Sequence, residues 1–173
     1  MADKVVFETP FVSLVERDGY VFTHEKRSNG LIVSLLPYRD QAGQRTYLAR
    51  VEVCPAHSPE PQLERCSITG GVDPGQTVRH MAVVELKEEA GYEILESALI
   101  DLGAVRPSKS ADTTVYLFAI DVSGEVPGEV TGDGSRYETG AYVEWVNYAE
   151  AMQNKDPLFI AAIARLNAAH PLP

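Results

Sequence analysis

A helix set among strands constrains this chain more than anything else in it. From Thr77 to Ala90 no Pro or Gly interrupts the sequence, Thr77 has the side chain of an N-cap, and Gly91 suits the left-handed residue that closes a helix. Met81, Ala82, Val84 and Leu86 give the segment apolar surface to bury. On its N-terminal side the chain reads as strands. Phe11–Glu16 and Tyr20–Lys26 are joined by an Asp18-Gly19 hairpin turn; the nearly all-apolar Leu31–Leu36 follows, then Thr46–Val53 after a turn at Asp40–Gly43. Pro55, Pro59 and Pro61 make Cys54–Glu64 a loop, and a short strand, Cys66–Thr69, comes after it. Beyond the helix, strands are expected at Ala98–Leu102, Thr113–Val122 and Tyr142–Val146, separated by loops at Gly103–Asp112 and Ser123–Gly140, the latter glycine-rich and exposed. Asp156-Pro157 then opens a terminal helix with Phe159, Ile160, Ile163 and Leu166 on one face. Strands flanking a central helix, with a second helix at the end, predict a single α/β domain over residues 1–173. Its sheet is mixed and helices pack on both faces, an α/β/α sandwich.

Charge narrows the function. The 173 residues carry 15 basic and 25 acidic side chains, a net charge of −10. Gripping a nucleic-acid backbone needs a basic face, so that class is disfavoured. Binding phosphates through a divalent metal is not, because clustered carboxylates suit such an ion. No apolar run approaches the ~18 residues of a bilayer-spanning helix. The opening MADKVVFETPF lacks the basic and apolar regions of a secretory leader. Cys54 and Cys66 are too few for a disulfide scaffold, and with His57 they lack the paired spacing of a structural zinc site. A cytoplasmic protein that handles neither nucleic acid nor membrane is expected.

The chemistry lies between Gly70 and Tyr92, in GGVDPGQTVRHMAVVELKEEAGY. At about 100° per residue, Glu88 sits about 300° and Glu89 about 40° around the helix from Glu85, so all three share one stripe. Like charges at these spacings cost a bare helix a few tenths of a kcal/mol per pair. A hard divalent cation with oxygen ligands would offset that cost. Upstream, Gly70, Gly71 and Gly75 with Asp73-Pro74 read as a loop that lets backbone approach a ligand and then opens a helix N-terminus. Turn, helix and carboxylate stripe together suit a metal-bound polyphosphate.

This stretch closely resembles the signature of the Nudix hydrolases, a glycine-headed loop–helix–loop ending in an Arg-Glu-apolar-x-Glu-Glu-x-Gly-apolar pattern. Gly70 takes the opening place, Glu85-Leu86-x-Glu88-Glu89-x-Gly91 the terminal cluster and Tyr92 the closing apolar place, without a gap. Three positions depart. Gln76 stands where the family has its first Glu, Val84 where it has the Arg that orients the neighbouring carboxylate, and Thr69 where Gly often precedes the motif.

The resemblance implies a Nudix-like sandwich and hydrolysis of the pyrophosphate bond in a nucleoside diphosphate linked to another moiety. ADP-ribose, nucleotide sugars and free nucleoside di- or triphosphates are all compatible; the early strands and the Arg106-Pro-Ser-Lys-Ser110 loop look like the branch that cleaves the first two. It implies Mg²⁺, or Mn²⁺, at Glu85, Glu88 and Glu89, with the choice of general base left open. The Thr69 carbonyl is the implied backbone ligand, and Glu138, or as runner-up Glu144, the implied carboxylate from a late loop. Gly70, Gly71, Arg50, His57 and Arg106 are the candidates for substrate contact, and Tyr20, Phe22, Tyr47 or Tyr116 for stacking. Relatives of that branch often pair through their N-terminal strands, so a homodimer is expected. The departures at Gln76 and Val84 motivate an alternative, a catalytically weak or inactive nucleotide-binding module.

Overall fold

The computed structural model describes residues 3–57, 60, 62–132 and 140–172. Two sheets form. In the smaller, β1 (Lys4–Glu8), β2 (Val12–Arg17) and β3 (Tyr20–Glu25) make an antiparallel meander. Asp18 (φ 50°) and Gly19 (φ 81°) supply the two left-handed residues that a two-residue hairpin loop requires. The larger sheet is built on β4 (Leu31–Gln41) and β5 (Gln44–Val53), joined by a second such turn at Ala42 and Gly43. Their pairing runs from Tyr38↔Tyr47 to Gln41↔Gln44. On the other side of Tyr38 the two strands part, and later chain enters the gap: β6 (Leu63–Cys66) pairs with β5 and β7 (Ile68–Gly71) with β4, both antiparallel. β9 (Thr114–Asp121) runs parallel to β4, β8 (Ile100–Val105) lies antiparallel beyond it, and β10 (Tyr142–Asn147) pairs antiparallel with β5.

The period of two along the central strands sends alternate side chains to opposite faces. Val33, Leu35, Leu48, Phe118 and Ile120 pack with Met81, Ala82, Leu86 and Ala90 of α1 (Val78–Ala90). Leu36, Tyr47, Ala49, Leu117 and Ala119 pack with Phe159, Ala162, Ile163 and Leu166 of α3 (Pro157–Ala169), while α2 (Tyr148–Ala151) is a single turn after β10. The result is the α/β/α sandwich with a mixed sheet that the sequence predicts. Several details differ. β1 is exposed along its whole length and carries no buried face for a pattern to reveal. Ala98–Leu102 splits into a 3₁₀ turn at Glu96–Ala98 and the start of β8. Gly70 and Gly71, expected in a loop, are strand residues, because the free edge of β4 at Val33 and Ile32 takes their backbone into the ladder.

The junction between β6 and β7 is held from the far side of the fold. The Ser67 N–H and Oγ–H both donate to Asp156 Oδ2 at 2.7 Å, while Asp156 Oδ1 accepts from Leu158 N at 2.8 Å as the N-cap of α3. One carboxylate thus starts a helix and fixes the wedge strands. Asp156→Ala is expected to cost about 1 kcal/mol for the lost cap and a further ~1–3 kcal/mol for the buried Ser67 donors left unsatisfied. Thr77→Ala, a cap alone, should cost about 1 kcal/mol. Equal losses for the two variants in urea unfolding would contradict this role for Asp156.

Candidate active site

α1 is fixed at both ends by groups outside its own hydrogen-bond ladder. Thr77 Oγ1 accepts from His80 N at 3.1 Å, and Gly91 (φ 74°) closes the helix with its N–H on Lys87 O at 3.0 Å. A helix leaves its last carbonyls without internal partners. Here Glu88 O accepts from Thr131 N and Gly132 N at 3.2 and 3.0 Å, Glu89 O from Arg50 Nη1 at 3.0 Å, and Gly91 O from Gly128 N at 2.8 Å. The turn bearing the acidic residues is therefore anchored through its backbone, partly by the first half of the glycine-rich loop.

That turn faces β7 at close range. A Cβ on residue 70 would lie 1.8 Å from Glu85 Oε1 and 2.0 Å from its Cδ, so the Glu85 carboxylate occupies the space a side chain there would fill. Glu85, Glu88 and Glu89, all half-buried, line one cavity of about 430 Å³ with Val84, Asp73, Thr69, Gly70 and Gly71. The far wall comes from the end of β3 and the turn after it, through Glu25, Arg27 and Ser28.

Other sequence candidates land elsewhere. Arg50, expected at the substrate, is buried beneath the end of α1, with Nε on Glu52 Oε2 at 3.4 Å besides its bond to Glu89 O. Arg106 lines a separate cavity of about 520 Å³ with Arg17, Tyr20, Phe22 and Lys109, where the 105–112 loop folds back on β3. His57 Nδ1 pairs with Glu64 Oε2 at 2.8 Å. Its chamber, about 330 Å³, adjoins the carboxylate cavity through Thr69 and also contains Cys54 and Cys66. Both cysteines are free thiols, and burial pushes the Cys66 thiol up, which makes it a poor nucleophile. Glu144 forms an ion pair with Arg65. Glu138 lies outside the described residues. Tyr47 and Phe22 are core side chains, and Tyr20 donates its hydroxyl to Lys109 O at 2.7 Å.

Sequence reasoning missed the Glu25–Ser28 turn. Burial alone would raise the Glu25 carboxyl, but it accepts from Ser28 Oγ at 2.5 Å, Ser28 N at 2.8 Å and Arg27 Nε and N at 3.0 and 2.9 Å, which together hold it at about 2. This fixed anion shapes the turn that presents the exposed Arg27 at the cavity wall. No motif marks it, since its partners matter only once β3 and β4 place the turn opposite α1.

Among the described residues no group of three His, Cys, Asp or Glu side chains is already gathered to hold a metal ion. The donor set nonetheless has the right chemistry: three carboxylates on one cavity wall beside a strand whose Gly70 leaves room for Glu85 are hard oxygen ligands for a divalent cation.

The NUDIX domain family model matches residues 30–166, and the chain belongs to this family. No curated protein matches the sequence. Among solved structures, one described as an ADP compounds hydrolase shares the fold, with a TM-score of 0.63 over 98% of this chain and 94% of that one at 16% identity.

Two outcomes follow from this geometry. Gly70→Ala should move the Glu85 carboxylate while leaving the melting temperature within about 4 °C of wild type; pyrophosphohydrolase turnover should fall about a hundredfold, as misplacement by ~1 Å can cause. Unchanged turnover would contradict the close packing at residue 70. For Glu25, a carboxyl lowered from 4.5 to about 2 stabilises the fold above the unfolded value and loses that contribution as pH falls toward the folded one. Ser28→Ala should therefore be less stable than wild type near neutral pH, with the gap narrowing as pH falls from about 5 to about 2. A gap independent of pH would show that the Ser28 bonds do not set the charge of Glu25.

Proposed function

We propose that this protein is a divalent-metal-dependent hydrolase cleaving the pyrophosphate bond of a nucleoside diphosphate linked to another moiety, in the range of nucleoside di- and triphosphates, ADP-ribose and nucleotide sugars. The observation that carries this reading is the shared cavity of Glu85, Glu88 and Glu89 against a glycine strand that accommodates Glu85. Family membership supports it, and so does the fold likeness to a structure described as an ADP compounds hydrolase.

Glu85, Glu88 and Glu89, with the Thr69 carbonyl, would hold Mg²⁺ or Mn²⁺, and Glu138 is the proposed later carboxylate. When bound, such a cation neutralises phosphate charge and lowers the pKa of a coordinated water. The chain supplies the rest. One of the three carboxylates would take a proton from the attacking water as its oxygen bonds to one phosphorus, the bridging P–O bond breaks and the other phosphate leaves with the bridging oxygen. Arg27, exposed at the wall opposite the acidic stripe, is placed to meet the charge of the substrate phosphates. Gly70 and Gly71 let substrate pass close to β7. Residues 1–173 act in this proposal as one domain. No helix among the described residues is long and apolar enough to cross a membrane. A cytoplasmic location without membrane or nucleic-acid partners belongs to the proposal, and the net negative charge supports the last of these. Val5, Phe7, Tyr20 and Val21 on β1 and β3, with Phe11 in the turn before β2, leave apolar surface exposed, which suits a homodimer.

A second reading, a nucleotide-binding module with little activity, is favoured by one observation: Val84 rather than a cation faces the cavity beside Glu85. Incubating a panel of nucleotides with Mg²⁺ separates the two. Wild type should release a nucleoside monophosphate together with a phosphorylated partner, phosphate or pyrophosphate from at least one substrate, and Glu89→Gln should do so at least about a hundredfold more slowly. Substrate binding without turnover would favour the module, and equal rates for wild type and variant would contradict the proposed site.

A further inference from the structure

We infer that Arg50 is the positioning residue that aims the α1 carboxylates; this rests on the metal-dependent reading above. Val84 lines the cavity and brings no charge to it. The basic side chains on α1 itself are directed elsewhere. Arg79 Nη2 donates to Glu96 O and Leu99 O at 2.7 and 2.9 Å, with its guanidinium over the Phe118 ring. Lys87 Nζ pairs with Glu93 Oε1 at 3.0 Å, and His80 Nδ1 with Glu96 Oε1 at 3.2 Å.

Arg50 arrives from the sheet instead. Its backbone is clamped in the middle of β5, opposite Val143 of β10 on one side and Cys66 of β6 on the other. From this rigid base the side chain rises to the last turn of α1, where Nη1 donates to Glu89 O at 3.0 Å. The residue is 2% exposed. Burying a guanidinium is costly unless charge and hydrogen bonds compensate it, and it stays protonated at any working pH. What surrounds this one is the carbonyl end of a helix, the Glu52 carboxylate and the turn bearing Glu88 and Glu89, all of them negative. A permanent buried cation there offsets repulsion within the stripe and fixes Glu89 relative to β7. An Arg at position 84 would act on the stripe from within the helix; Arg50 acts on it from the sheet.

Simple helix capping would also explain the bond to Glu89 O, so the test must separate capping from aiming. Mn²⁺ affinity is measured by titration followed by electron paramagnetic resonance, without substrate, on wild type, Arg50→Lys, Arg50→Met and Arg50→Met/Val84→Arg, with melting temperature and kcat and KM recorded for each. The expected result is Mn²⁺ binding about tenfold or more weaker in both single variants, as for lost supporting partners of metal ligands. The loss in turnover should fall on kcat with KM nearly unchanged, and Val84→Arg should restore part of the Mn²⁺ affinity. Arg50→Lys keeps the charge in the fold, so it reports even if Arg50→Met does not fold. Variants that melt lower yet bind Mn²⁺ like wild type would make Arg50 a cap only and overturn the inference while the functional reading stands. A wild type that binds no Mn²⁺ would overturn both.

Discussion

The distance between α1 and β7 governs everything at this site. The helix carries its first acidic side chain against the strand because residue 70 has no Cβ, and any other residue would put an atom 1.8 Å from Glu85 Oε1. That closeness depends on the sheet. β4 and β5 part beyond Tyr38 and Tyr47, and the gap admits β6 and β7. Asp156, capping α3 on the opposite face, holds the junction at Ser67. A helix on one side of the sandwich thus fixes the strand on which the helix of the other side packs.

Electrostatics explains the remaining construction. Three carboxylates within one turn repel, and the helix end beneath them is itself negative. The chain answers with donors from three directions: Arg50 from β5, the Thr131 and Gly132 N–H groups from the loop after β9, and the Gly91 N–H from the helix terminus. None of these donors comes from an α1 side chain. Across the cavity the Glu25 anion is saturated by the Ser28 and Arg27 donors, so its charge shapes a turn and leaves Arg27 at the wall. An acidic protein of net charge −10 places a cation opposite its acidic stripe in this way.

What could be read from the sequence is what short-range physics decides. Thr77 and Gly91 bound α1, and Asp156-Pro157 opens α3, because capping depends on residues within a few positions of each other. Glu85, Glu88 and Glu89 share a cavity because helical geometry alone sets their stripe. β4 outruns the apolar stretch Leu31–Leu36 that marks it in the sequence. The strand runs through to Gln41, held by β9 on one side and β5 on the other. Sequence marks Arg50 as a candidate substrate contact; its burial, with bonds to the Glu89 carbonyl and the Glu52 carboxylate, depends on α1, a partner far along the chain. Arg106 and His57 were placed by loop membership, and loop sequence does not say which cavity a loop will border.

The central claim is that the stripe on α1 closes around a divalent cation beside β7. Diffraction from crystals grown with Mn²⁺, collected at the manganese edge, tests it directly. An anomalous peak bounded by the carboxylates of Glu85, Glu88 and Glu89 and the Thr69 carbonyl is the predicted result. Clear density for those side chains with no peak among them at saturating Mn²⁺ would contradict it.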